Sequence, residues 1–251
     1  MDRYSILKEK LAKQKSVTMG NLMLTASPYL LDAYVDMDCI LLDKEHGIYD
    51  TENLLPMVTH CRNLQLPAIV RVEDSVYHLI AKTIDMGADG IMIPRTETVE
   101  QVKTAVEAMH FYPIGRTGCG GYGLKRKDET FDEFQNGRIL ILQIESRKGL
   151  EAIPDMIKQY GEYIDGFMIG PNDYSIMQGL KQQPTHPDMF IQVQEVFDKC
   201  REYNKSCGCF AAENDIALRY AKMGANIFWV GDDATYIRKG IKSYLDVLPK
   251  D

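Results

Sequence analysis

Short apolar runs recur along the chain and alternate with longer segments of helical periodicity. The runs fall at residues 21–25, 39–43, 68–72, 90–94, 140–144, 166–169, 206–210 and 226–230. Between them, helices are predicted over 51–61, 76–86, 99–109, 149–160, 190–204, 215–223 and 234–244. A run that is apolar at every position, rather than alternating, marks a strand buried on both faces, as in a parallel sheet covered by helices. Eight strand–helix units in 251 residues predict an α/β fold, a (β/α)8 TIM barrel occupying 1–251 as a single domain. A weak internal repeat agrees with this. Residues 85–94 resemble 222–231, and 164–170 repeat the second half. In the first two copies Gly87 and Gly224 suit the left-handed position that ends a helix before the next strand begins.

Composition narrows the function more than the fold. With 45% hydrophobic and 26% charged residues the chain is ordinary for a globular protein, and its net charge of −7 excludes a broad nucleic-acid or anionic-membrane surface. No 18-residue apolar run predicts a membrane span. The charged segment Met1–Lys10 lacks the core of a secretory signal, which points to the cytoplasm. Six cysteines are too few for a disulfide scaffold, and Cys207-Gly208-Cys209 is expected to be strand rather than a metal pair.

In such a barrel the chemistry belongs at the C-terminal ends of the strands. Those positions carry Asp43, Glu45 and His46, then Arg71, Glu73 and Asp74, then Arg95, Gln143 and Glu145, then Gly170-Pro171-Asn172-Asp173 and finally Gly231-Asp232-Asp233. Glu145 and Asp173, with neither thiol nor several imidazoles beside them, suit a hard divalent cation, Mg²⁺ or Mn²⁺, with Co²⁺ an alternative. Arg71 is placed to stabilise a developing oxyanion, and His46 is the proton carrier for neutral pH. The set points to proton abstraction beside a carbonyl, or to making and breaking a carbon–carbon bond. Other polar residues read as structural. Asp74 is expected to cap the helix after it, Asp232 and Asp233 the last helix, and His60, His78 and His110 to be surface or packing residues. The glycine-rich segment 115–123, followed by Lys125-Arg126-Lys127, follows a helix rather than a strand and so is no dinucleotide fingerprint. It remains open between a plain surface loop and a mobile loop that binds a carboxylate or phosphate.

Four patches, Leu41-Leu42-Asp43-Lys44-Glu45-His46, Val70-Arg71-Val72, Leu142-Gln143-Ile144-Glu145-Ser146 and Ile169-Gly170-Pro171-Asn172-Asp173-Tyr174-Ser175, resemble the metal-dependent HpcH/HpaI aldolase family, of the 4-hydroxy-2-oxoheptanedioate aldolase type. The resemblance implies a barrel of the pyruvate/phosphoenolpyruvate-binding type and a homo-oligomer, a hexamer or trimer of dimers, with the last helix packed on a neighbouring subunit. It implies a divalent metal on Glu145 and Asp173 that binds pyruvate through its oxo and carboxylate oxygens, with Gln143 beside it and the backbone of Gly170 and Asn172 near the carboxylate. Arg71 would steady the enolate, and Asp43 and Asp85 would orient His46 or its water while His46 relays the proton. The implied partner is a small oxo-acid, cleaved without a Schiff-base lysine. Three positions depart from the family: Lys44 in place of a glycine, Tyr174 in place of a leucine, and Thr117-Gly118-Cys119-Gly120 in place of its Arg-Gly-Val-Gly loop. Lys44, Arg116 and Lys125 would suit a more anionic acceptor, and an alternative is a citrate-synthase-like condensation with an oxo-acid or acyl thioester. A third reading is a metabolite-binding barrel without turnover.

Overall fold

The computed structural model describes residues 3–120, 125 and 129–249, apart from the side chain of Gln135. Eight strands, β1 (Val17–Leu22), β2 (Cys39–Asp43), β3 (Ala68–Arg71), β4 (Gly90–Ile93), β5 (Ile139–Ile144), β6 (Gly166–Ile169), β7 (Ser206–Ala211) and β8 (Ile227–Val230), pair in parallel in chain order, and β8 returns to β1 to close a barrel. Around them run α1 (Arg3–Ala12), α2 (Thr51–Asn63), α3 (Tyr77–Asp85), α4 (Val99–Met109), α5 (Phe131–Asn136), α6 (Arg147–Tyr160), α7 (Pro171–Met177), α8 (Pro187–Glu202), α9 (Asn214–Met223) and α10 (Asp233–Leu245). A 3-10 turn, Pro28–Tyr34, replaces the helix between β1 and β2. Among the described residues no helix is long and apolar enough to cross a membrane.

The uninterrupted apolar runs have the expected cause. Successive side chains of a strand alternate between faces, and here both faces are covered. In β2, Ile40 and Leu42 join an outer cluster with Leu54, Met57 and Val58 of α2, whereas Cys39 and Leu41 join Ile69, Met92, Ile141, Met168 and Trp229 inside the barrel. One step further along the inward face lie Asp43, Arg71 and Gln143, so the apolar filling gives way to polar groups at one end. Gly87 and Gly224, with φ of +99° and +112°, end their helices in the left-handed conformation predicted for them.

Three parts of the architecture differ from the prediction. The first strand lies at Val17–Leu22, not 21–25, because its register is set by pairing Met19 with Cys39 and Leu22 with Leu42. The charged N-terminal segment is a helix whose Leu7 and Leu11 plug the barrel's N-terminal end beside Val17, Ile139 and Ile227. Lys8 anchors it through Asp165 at 2.8 Å, and Ser206 donates to the Leu11 carbonyl at 2.6 Å. Asp74 does not cap α3, whose N-cap is Val76. The Asp74 carboxylate accepts the Ser75 N–H instead. Asp232 does cap α10, whereas Asp233 is buried and accepts the Leu24 N–H at 3.0 Å. From Ile237 onward α10 lies exposed, with Ile237, Ile241, Tyr244 and Leu245 on its surface.

Cys207 and Cys209 are buried, unbridged strand residues, and the glycine between them is a closure point. A Cβ at Gly208 would lie 2.0 Å from the Ile227 carbonyl oxygen, so a side chain there would force β7 from β8. Gly208→Ala is expected to destabilise the fold by about 2–3 kcal/mol, the scale of overpacking in a tight core. That corresponds to a fall in Tm of roughly 5–10 °C for a chain of this size, measurable by calorimetry.

Candidate active site

Asp43 and Arg71 end adjacent strands as paired residues of the β2–β3 ladder, with both side chains directed into the barrel. The guanidinium grips the carboxylate with two bonds, Nε to Oδ1 at 2.9 Å and Nη2 to Oδ2. Its Nη1 donates to Gln143 Oε1 at 3.2 Å and lies 3.1 Å from Glu45 Oε2. Gln143 in turn donates Nε2 to Glu145 Oε1 at 2.8 Å, and the main-chain N–H of Arg95 reaches Glu145 Oε2 at 3.1 Å. One chain of charge-assisted bonds thus runs across the mouth from β2 to β5 and fixes the orientation of Glu145. Trp229 lies beside it, its ring 5.2 Å from the Arg71 guanidinium.

Asp173 reaches the mouth from the first turn of α7, whose N-cap is Gly170. A Cβ at position 170 would stand 1.9 Å from Glu145 Oε1 and 2.6 Å from Gln143 Nε2, so glycine there keeps the space these two groups occupy. Glu145, Asp173, Arg71, Gln143, Gly170, Asn172 and His46 line one cavity of about 180 Å³, together with Asn21, Met23, Phe210, Trp229 and Asp232. A second chamber of about 300 Å³ shares His46, Glu145 and Asp173 and adds Glu45, Arg95, Glu97, Ser146, Ile176 and Met177. The two carboxylates therefore stand on the boundary between two spaces.

Burial first, and then the charges of Glu45 and Asp173, push the Glu145 carboxyl up to about 8, against the opposing pull of Arg71. Burial likewise raises Glu45, with Arg71, His46 and Arg95 opposing it. A buried carboxylate beside like charges is one that a cation would relieve, and oxygen donors without thiolate suit a hard divalent ion. Among the described residues no cluster of three or more His, Cys, Asp and Glu side chains could hold a metal. Two protein carboxylates would leave the remaining coordination positions to water and ligand oxygens.

Not every anticipated residue joins the site. Asp43 orients His46 only through the backbone, since its Oδ1 accepts the N–H of Glu45 at 3.0 Å and of His46 at 3.3 Å. The imidazole itself is exposed, with Nε2 3.8 Å from Glu45 Oε2. Asp85 is the exposed last residue of α3, at the opposite end of the barrel and beside Gly120, so within one chain it does not orient His46. Lys44 turns away from the mouth into an ion pair with Glu73 at 2.9 Å, in a separate pocket between α2 and α3. Tyr174 is fully buried in the outer core and donates to Gln192. Arg116 lies on the outside of the barrel over the Tyr77 ring and paired with Glu107, and Lys125 donates to the Glu129 carbonyl. Residues 121–124 and 126–128 of the glycine-rich and basic segment lie outside the described residues. His60 and His78 are surface residues and His110 packs against Tyr163, as expected.

Sequence reasoning noted Glu45 and Arg95 at strand ends without giving them a role, and passed over Asn21, Phe210 and Trp229. The inward alternation of β7 and β8, whose Phe210 and Trp229 are paired neighbours, was the available signal for the last two.

The raised Glu145 carboxyl has a consequence for stability. Its folded value lies above the ordinary 4.5, so the folded chain holds the proton more tightly than the unfolded chain does. Stability from this group is complete below about 4.5 and is lost as pH rises through about 8. In metal-free buffer Glu145→Gln is therefore expected to melt above the unsubstituted protein at pH 8, with the difference shrinking toward pH 5. Thermal melts across that range check the trend.

A family model described as HpcH/HpaI aldolase/citrate lyase matches residues 23–239. A 5-keto-4-deoxy-D-glucarate aldolase of Salmonella arizonae is 28% identical over 249 residues, covering 97% of this chain and 96% of that protein. The crystal structure of an HpcH/HpaI aldolase from Desulfitobacterium hafniense superposes with a TM-score of 0.84 at 26% identity, covering 97% of each chain. A structure described as citrate synthase SbnG, at 24% identity, TM-score 0.82 and 96% coverage of both chains, shares the fold.

Proposed function

The chain belongs to the HpcH/HpaI aldolase/citrate lyase family, and from that premise we propose that it is a divalent-metal-dependent lyase that cleaves or forms a 4-hydroxy-2-oxo acid through a pyruvate enolate. The observation that carries this reading is the convergence of Glu145, Asp173, Arg71 and His46 on one cavity. Glu145 and Asp173 would hold Mg²⁺, Mn²⁺ or Co²⁺, which supplies Lewis-acid polarisation of the 2-oxo group when bound. Arg71, immobilised by Asp43, presents a fixed positive charge to the oxo oxygen as the enolate develops, so no reorganisation is needed during the reaction. His46, exposed and shared by both chambers, takes the proton of the 4-hydroxyl group, directly or through water. The C3–C4 bond then breaks, its electron pair forms the enolate, and the proton returns to C3 to give pyruvate and an aldehyde. Gln143 keeps Glu145 oriented, and Gly170 and Asn172 border the space that the pyruvate carboxylate would fill. Among the described residues no lysine lines either chamber, which supports enolate rather than Schiff-base chemistry.

The condensation alternative drew on Lys44, Arg116 and Lys125, and none of these lines either chamber. The reading extends to assembly. An isolated 13-residue helix is marginal in water, and α10 presents Ile237, Ile241, Tyr244 and Leu245 to solvent, which supports its packing on another subunit of a homo-oligomer.

With Mg²⁺ in D₂O the protein is expected to exchange the methyl protons of pyruvate, followed by NMR, and chelation to stop the exchange until metal is restored. Asp173→Ala should reduce the rate at least 100-fold, and Arg71→Lys by about 10²–10³, the scale for losing one oxyanion donor. A metal-loaded protein that leaves the methyl protons in place overturns the reading. For the assembly, light scattering is expected to give an oligomer, and Ile241→Asp to shift it toward smaller species.

A further inference from the structure

Two polar groups in the smaller cavity stand without partners, and the mechanism above uses neither. Asn21 and Trp229 line the wall that β1 and β8 form, and both are buried, 2% and 4% exposed. Among the described residues Asn21 Oδ1 and Trp229 Nε1 have no hydrogen-bond partner. A buried donor or acceptor left unpaired is costly, and interior polar groups are rarely found so. The indole is also not free to turn toward a partner elsewhere. Phe210 packs edge-on against it with 5.1 Å between ring centroids, and the Arg71 guanidinium lies 5.2 Å from its ring. Of the other residues on this wall, Met23 is apolar and Asp232 caps α10.

The two groups are neighbours with complementary chemistry. Trp229 pairs with Met19, and Asn21 is the next inward residue of β1. Strand spacing then puts their Cα atoms roughly 8 Å apart, close enough for one small group to meet both side chains. An indole N–H only donates, and an amide oxygen only accepts. A single group that satisfies both must accept and donate at once, as a hydroxyl does and a methyl does not. In a closed ring of eight strands in chain order β1 lies across from β5, so this wall faces Glu145 over the cavity.

We propose that Asn21 and Trp229 form a hydroxyl-binding subsite, and that the 2-oxo acid this cavity prefers carries a hydroxyl on C3. Held by its C1 and C2 oxygens on the side of Glu145 and Asp173, such an acid extends C3 toward β1 and β8. Its hydroxyl accepts from Trp229 Nε1 and donates to Asn21 Oδ1, whereas the methyl of pyruvate leaves both unpaired. The bond and proton changes are those given above. The acid cleaved is a 3,4-dihydroxy-2-oxo acid, and hydroxypyruvate is released with the aldehyde. This assignment rests on the lyase reading, but its test does not require turnover.

The test is binding of hydroxypyruvate and of pyruvate to the Mg²⁺-loaded protein by ligand-observed NMR. Fluorescence of Trp229, the only tryptophan in the chain, gives a second reading wherever that residue is kept. The unsubstituted protein is expected to bind hydroxypyruvate about tenfold more tightly than pyruvate or better, because a site built around a hydroxyl rejects the analogue that lacks it. Asn21→Leu and Trp229→Phe, on different strands, each remove one of the two bonds and should each cut that ratio by roughly fivefold or more. Equal affinity of the unsubstituted protein for the two acids, the result if water alone bridges the pair, overturns the assignment. So does a ratio that neither substitution changes, or no binding of hydroxypyruvate. Exchange of the pyruvate methyl protons reports separately on the lyase reading, so the two failures are distinguishable.

Discussion

The buried pair of Asp43 and Arg71 is the constraint on which the mouth of this barrel depends. Removing two charges from water is costly, and the cost is recovered only when geometry is close and every remaining hydrogen-bonding position is used. Here the carboxylate accepts two guanidinium bonds and two backbone N–H groups, and the guanidinium also donates Nη1 to Gln143 and forms an ion pair with Glu45. The pair therefore does more than join β2 to β3. It orders the turn that carries Glu45 and His46, and through Gln143 it fixes Glu145 just past the end of β5. Losing either partner would strand a charge in the interior, a loss on the order of 3–5 kcal/mol.

Much of this was readable from the sequence, for physical reasons that can be stated residue by residue. A parallel strand covered on both sides must be apolar throughout, so β2 and β3 were visible as runs, and the polar residue ending each run had to be at the mouth. Asp43, Arg71, Gln143 and Glu145 were found in that way. Gly87 and Gly224 were found because a left-handed helix end has few other occupants. The first strand was missed by four residues because Leu22, Leu24 and other apolar residues continue beyond its end. That error also hid Asn21, which a strand beginning at 21 would put at the far end of the barrel from the mouth.

Side-chain direction was the part that sequence spacing could not carry. Lys44 follows Asp43 immediately, and in an extended chain neighbours face opposite ways, so proximity along the sequence placed it in the mouth while the backbone turned it toward Glu73. Arg116 and, within one chain, Asp85 stand away from the mouth for a related reason. Arg116 pairs with Glu107 of α4 and Asp85 lies beside Gly120, neighbours in space that sequence spacing does not specify. The α1 helix was hidden by its own surface. Only Leu7 and Leu11 of it are fully buried, too few apolar positions to mark a helix among its charged residues.

The placement of α1 has a consequence for how the chain comes together. Its Leu11 carbonyl is held by Ser206, Lys15 by Asn226, and the Leu24 amide by Asp233, partners separated by 195, 211 and 209 residues. Each of these contacts closes a loop of nearly the full length of the chain, and β1 meets β8 in the same step. Before that step β1 and β8 are open edges with unpaired backbone groups, and the inside of the barrel lacks its plug. Little native stability accrues to a partly assembled barrel, so the protein should fold slowly and as one cooperative unit, with its two ends the last parts to meet.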